Sequence, residues 1–85
     1  MSYHVYILQS DTDGSYYVGS TQDIDERLLR HNEGRSKYTK SRRPWALVHT
    51  EKFPSRSEAV KRENQIKSRK SRKFIEKLVR ASRQS

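Results

Sequence analysis

The chain has no cysteine anywhere in its 85 residues. That absence excludes a disulfide framework, zinc-thiolate sites and thiol nucleophiles, and it is compatible with a reducing compartment. No apolar run reaches membrane-spanning length, and the N-terminus lacks the basic-then-apolar layout of a secretory signal, so a cytoplasmic placement is the default expectation. Acidic side chains are scarce where basic ones are dense: residues 1 to 34 carry two basic and six acidic groups, residues 35 to 85 seventeen basic and four acidic. The second part alone sums to +13, against +9 for the whole chain.

A domain this asymmetric suits a polyanionic partner, because each phosphate neutralised by Lys or Arg releases condensed counterions. The plainer reading is a solvated basic surface. A membrane surface is the weaker match, since the basic helices carry no exposed Trp or Phe stripe. The length allows one domain, close to the lower limit for folding without staples, and leaves little room for a large buried catalytic cavity.

Two tyrosine-bearing segments stand out, His4-Val5-Tyr6 and Tyr17-Val18-Gly19, with ten residues between the two tyrosines. Tyr3 to Gln9 and Tyr16 to Ser20 alternate as strands do, and Asp11 to Gly14 supplies turn chemistry, so Tyr6 and Tyr17 project from one face of a hairpin. Asp23 followed by Glu26 starts a helix in which Ile24, Leu28 and His31 recur, with Asn32 and Gly34 as its stop. Arg35 to Pro44 reads as a basic loop and Trp45 to Phe53 as a third strand. Ser55 with Glu58 opens a second helix to about Ser68. A third, about Ser71 to Ala81, shows Phe74, Ile75, Leu78 and Val79 as one stripe. The expected fold is α+β, a three-stranded antiparallel sheet flanked by three helices, as a single domain over 2–78 with a frayed basic tail at 79–85.

Several residues break the apolar pattern. Glu63 falls on the stripe of Ala59, Val60 and Ile66, where a carboxylate requires Arg, a metal ion, a cleft, or an intrahelical pair with Lys67 or Lys70. Arg27 and His31 lie four apart on the first helix. Arg27 has Glu26 and Asp23 as ordinary partners, and a lone helical His is commonly structural. The tyrosines have a packing explanation as cross-strand neighbours, and Gly19 reads as a bulge or as a place where phosphate approaches the backbone. Together, two phenols, a guanidinium, an imidazole and a carboxylate on a basic domain form an inventory for phosphodiester hydrolysis. A divalent cation polarises oxygen, the guanidinium stabilises charge on phosphorus, and a tyrosine with a lowered pKa orients or deprotonates water.

These residues resemble the GIY-YIG nuclease superfamily, in particular its small stand-alone bacterial members. His4-Val5-Tyr6 stands in the place of the first motif and Tyr17-Val18-Gly19 of the second. Arg27, His31 and Glu63 match the later positions in order, with Gly19-Ser20-Thr21 and Tyr38-Thr39 through Pro44-Trp45 between them, over about Ser2 to Leu78. The resemblance implies one Mg²⁺ or Mn²⁺ ion on Glu63 and a cut in one strand of nucleic acid. Tyr6 or Tyr17 would be the base, with a lean toward Tyr6, and Arg27 would sit on the scissile phosphate. It further implies that His31 tunes Tyr6 or the leaving group. The chain departs from the pattern in carrying His4 where the motif's name has Gly, and in lacking a late Asn; Asn64 follows Glu63 and points away from it.

For phosphate contacts the candidates are Arg35, Lys37, Lys40, Arg42 and Arg43 in the loop, and Lys67, Arg69, Lys70, Arg72 and Lys73 at the helix junction. Such contacts imply weakly sequence-specific or structure-directed binding. DNA is favoured over RNA, and the oligomeric state is left open. Two further functions fit the composition: a non-catalytic DNA- or RNA-binding module on the same scaffold, and an adaptor for acidic proteins.

Overall fold

The computed structural model describes residues 2 to 84, with side chains through residue 82. Strands β1 (Tyr3–Ser10), β2 (Tyr16–Thr21) and β3 (Trp45–Phe53) form one antiparallel sheet in the order β2-β1-β3. Side chains alternate between the faces of the central β1, yet Val5, Tyr6, Ile7 and Leu8 are all at most 1% exposed, because both faces are covered. Helices α2 (Arg56–Arg69) and α3 (Arg72–Gln84) pack on the Val5 and Ile7 face, with Val18, Ala59, Ile66 and Val79 completing that core. Opposite them, Leu28 of α1 (Ile24–Asn32) joins Trp45 against Tyr6 and Leu8. The α+β architecture read from the sequence is the one observed, and β2 is left as an edge strand.

Helix starts follow the sequence closely. Asp23 accepts from the backbone N–H of Glu26 at 3.0 Å and Ser55 from that of Glu58 at 3.3 Å, each satisfying a donor that the first turn leaves over. Gly34, with φ of +78°, takes the left-handed conformation just beyond α1, and a Cβ there would fall 2.6 Å from the Arg43 guanidinium. The basic stretch 35–44 is a loop containing one short 3₁₀ turn (Lys40–Arg42) and a cis Arg43–Pro44 peptide bond. Ser10 ties that loop to the hairpin tip. Its hydroxyl donates to the Arg42 carbonyl at 2.7 Å and accepts from the N–H of Thr12 and Asp13.

The stretch expected as a frayed tail begins as helix. Helix α3 runs on to Gln84, and Val79, the first residue assigned to the tail, is 4% exposed within the main core. The reason is the helical period: Val79 continues the stripe of Phe74, Ile75 and Leu78, all of which pack on the same cluster. Ser85 and the side chains of Arg83 and Gln84 lie outside the described residues.

Candidate active site at the sheet edge

The β1–β2 register opposes Tyr6 to Gly19 and Tyr17 to Leu8, which puts both phenols on the α1 face. Their ring centroids are 6.3 Å apart. Gly19 lies in regular register, not at a bulge, and its missing side chain has a specific use. A Cβ at Gly19 would fall 2.6 Å from Cζ of Tyr6, so the tyrosine ring itself fills the space beside the glycine. His4 occupies the same strand two residues earlier, its Nδ1 buried without a hydrogen-bond partner.

His31 is 2% exposed and held at both ring nitrogens. Nε2 lies 3.3 Å from the Tyr6 hydroxyl and Nδ1 lies 2.8 Å from Oγ1 of Thr39, a residue fully buried under the loop. Thr39 Oγ1 also donates to the Ser36 carbonyl at 3.4 Å, and its carbonyl accepts from the indole N–H of Trp45 at 3.0 Å. In the tautomer where the Thr39 proton goes to Ser36, Nδ1 carries the hydrogen and Nε2 faces Tyr6 as an acceptor. Burial, then the charges of Arg27 and Arg30, holds the imidazole below its ordinary pKa, which keeps it neutral near pH 7.

The Tyr6 hydroxyl is where the candidate groups meet. Burial raises its pKa most, Tyr17 raises it further, the Arg27 guanidinium beside it pulls downward, and Glu63 raises it again; the outcome is a phenol pushed up to about 12. The chain's own cations alone do not lower the Tyr6 pKa below its ordinary value. In this small, dry corner, removing water from the phenolate outweighs the nearby cation. Arg27 makes a loose ion pair with Glu26, its Nε 3.9 Å from the carboxylate and buried without a hydrogen-bond partner, while its guanidinium also hydrogen-bonds the Tyr6 hydroxyl.

Glu63 reaches this edge from the other face. From α2 its carboxylate accepts from the Ser20 hydroxyl on β2 at 2.6 Å and from Lys67 Nζ at 2.6 Å, with the side chain 16% exposed. The intrahelical pair weighed for Glu63 therefore exists, but it engages only one oxygen. Among the described residues no group of three His, Cys, Asp or Glu converges, so no all-protein cation cage is built. The donor set does fit a single hard cation that keeps most of its waters and takes one carboxylate. The partners of Glu63 line two different cavities. Ser20, with Arg27 and Arg56, lines a polar cleft of about 360 Å³, and Lys67 lines a larger one of about 560 Å³ beside Tyr17.

Of the two basic groups predicted from sequence, one member of each reaches the hairpin tip. Arg42 pairs with Asp13 at 3.3 Å, and Arg72 donates to the Gly14 carbonyl at 3.1 Å while covering the Tyr16 ring. Others are engaged locally. Arg35 pairs with Glu33, Arg43 donates to the Lys40 carbonyl, and Arg69 stacks on Phe74. Lys37, Lys40, Lys70 and Lys73 are exposed. Sequence reasoning missed Ser20, Thr39 and Arg56 as members of the site. Ser20 and Thr39 lie within segments already singled out, but nothing in a linear pattern connects a loop hydroxyl to a helical imidazole.

A family model described as the GIY-YIG catalytic domain matches residues 2–77. A UPF0213 protein of Halobacterium salinarum is 48% identical over 66 residues, which cover 76% of this chain and 84% of that protein. One from Staphylococcus saprophyticus is 48% identical over 67 residues, covering 78% and 80%. The solution NMR structure of a UPF0213 protein from Bacillus halodurans is similar with a TM-score of 0.60 at 44% identity, covering 95% of this chain and 85% of that one. Tyrosines paired across a hairpin, a helical Arg and His above them and a glutamate at the sheet edge thus occur in a chain that belongs to the GIY-YIG family, among its small UPF0213 proteins.

Proposed function

We propose that this protein is a metal-dependent nuclease that hydrolyses one strand of DNA at a phosphodiester bond, with weak sequence preference, in the reducing cytoplasm. The observation that supports this reading best is the Tyr6 hydroxyl, which touches His31 and lies within the electrostatic influence of Tyr17, Arg27 and Glu63 beside the edge strand β2. The polar cleft lined by Arg27, Arg56 and Ser20 receives the scissile phosphate, and Arg27, only loosely paired with Glu26, takes the charge that develops on phosphorus. Tyr6 orients the attacking water. Because its phenol is pushed up to about 12, no phenolate stands ready, so Tyr6 takes a proton from water only as it passes its own to Nε2 of neutral His31. Glu63 is the residue that would hold Mg²⁺ or Mn²⁺, in competition with Lys67. When bound there, such an ion supplies polarisation of the phosphoryl or leaving oxygen.

Supercoiled and branched DNA incubated with Mn²⁺ tests the reading. The parent protein nicks, and Glu63→Ala and Arg27→Ala each lose about 100-fold or more; variants that cut as well as the parent would show that the site is misassigned. A second reading is favoured by one observation, the Lys67 ammonium that already satisfies Glu63. It is a binding module for DNA or RNA on the same scaffold, and binding without cleavage that survives Glu63→Ala would establish it.

A further inference from the structure

The cavity of about 560 Å³ beside Tyr17 is not used by the chemistry described above, and its walls differ from those of the phosphate cleft. Its floor is core: Val18 and Ile66 are 6% and 1% exposed. One wall is aromatic. Tyr17 and Tyr38 stand with ring centroids 6.1 Å apart, and Tyr38 is 70% exposed on a strongly basic surface, with the Arg42 guanidinium 5.9 Å from its ring centroid. The rim is cationic, with Lys67, Lys70 and Arg72 along it. Lys70 adds a separate observation. It caps α2 in the left-handed conformation, with φ of 47°, where glycine is the residue without steric penalty. A lysine tolerated at that backbone position places a cation at the cavity mouth.

We propose that this cavity is a nucleobase subsite, receiving the base of one unstacked nucleotide next to the scissile phosphate, a proposal that rests on the nucleic-acid function argued above. An apolar floor and a largely exposed phenol that already has a guanidinium over its ring suit the π-surface of a base of any identity, and the lysine and arginine rim suits the phosphates on either side of it. Neither a lipid nor a peptide calls for both. The cavity is continuous with the site, since Tyr17 is common to its wall and the Tyr6 surroundings and Lys67 joins its rim to Glu63. A base held inside a regular duplex cannot enter. The preferred substrate class is therefore nucleic acid with an unpaired nucleotide at the cut, as at a branch, a flap or a single strand, and the preference arises at Tyr38 and not from base-specific hydrogen bonds.

Fluorescence anisotropy in chelator-containing buffer separates binding from cutting. The probes are a labelled short oligothymidylate, a base-free oligomer of abasic sugar-phosphates of equal length, and a blunt duplex. The parent binds the oligothymidylate about tenfold more tightly than the abasic oligomer. Tyr38→Ala removes that difference without changing abasic binding, Tyr38→Phe restores it, and Lys70→Ala weakens both single strands and lowers the salt slope. Circular dichroism confirms folding, which Tyr38→Ala leaves intact because the residue is exposed. Equal binding of the oligothymidylate and the abasic oligomer, or an equal loss on both in Tyr38→Ala, overturns the subsite while the nucleic-acid function stands. Failure of all three probes to bind overturns both.

Discussion

Tyr6 concentrates the local physics of this protein. Its ring occupies the space left by Gly19, its hydroxyl meets His31, and burial keeps it protonated. Because its folded-state pKa lies above the ordinary 10.0, the stability linked to Tyr6 is fully present below pH 10 and is lost as pH rises toward about 12. Tyrosinate absorbance should show one of the five tyrosines ionising last, and Tyr6→Phe should remove that phase. His31 behaves in the opposite sense. Its folded-state pKa lies below the ordinary 6.5, so the unfolded chain takes up the proton first and stability falls as pH drops through and below that value. Urea midpoints measured on the acid side should show the decline, and His31→Gln should flatten it. Thr39→Val should cost about 1–3 kcal/mol and change the ¹⁵N shifts of His31, with Thr39→Ser restoring both, because the hydroxyl is what holds Nδ1.

Among the elements, α2 and α3 differ in how they are anchored. Helix α2 is tied to β3 by a two-point contact, Arg62 to Glu51 at 2.8 and 3.1 Å. Burial acts to raise the Glu51 pKa, but hydrogen bonds from Arg62 and His49 bring it below the ordinary value, so this tie weakens only as pH falls below the ordinary carboxylate range. The α2 N-terminus depends on its cap, and Ser55→Ala should cost about 1 kcal/mol by thermal or urea unfolding. Helix α3 depends on its stripe. Val79→Ala should cost about 1–3 kcal/mol, and truncation after Leu78 should lower the unfolding midpoint more than removal of the last few residues. The contrast checks whether the helix beyond residue 78 belongs to the core.

At the scale of the whole molecule, charge asymmetry becomes a spatial arrangement. The acidic hairpin tip draws in Arg42 from one side and Arg72 from the other, so cations thirty residues apart in sequence flank the same turn. Affinity for nucleic acid should fall steeply with salt, the logarithm of the association constant declining linearly with the logarithm of the salt concentration. An association indifferent to salt, measured by anisotropy, would remove phosphate contacts as its basis. No helix among the described residues is long and apolar enough to cross a membrane.

The sequence by itself determined the elements, because their signals are local. Alternation marked β1, β2 and β3, the Asp23 and Ser55 caps marked the starts of α1 and α2, and Gly34 marked where α1 stops. It also marked Tyr6, Tyr17, Arg27, His31 and Glu63 as residues out of keeping with a plain amphipathic pattern. Only the tertiary structure decided that Glu63 comes round from the opposite face to Ser20, and that Thr39 holds His31 from an irregular loop. It alone decided that Gly19 is empty to admit Tyr6, and that burial raises the Tyr6 pKa. Desolvation and hydrogen-bond direction depend on which groups exclude water together. Those groups lie 8 to 43 residues apart in the chain, beyond the reach of helical or strand periodicity.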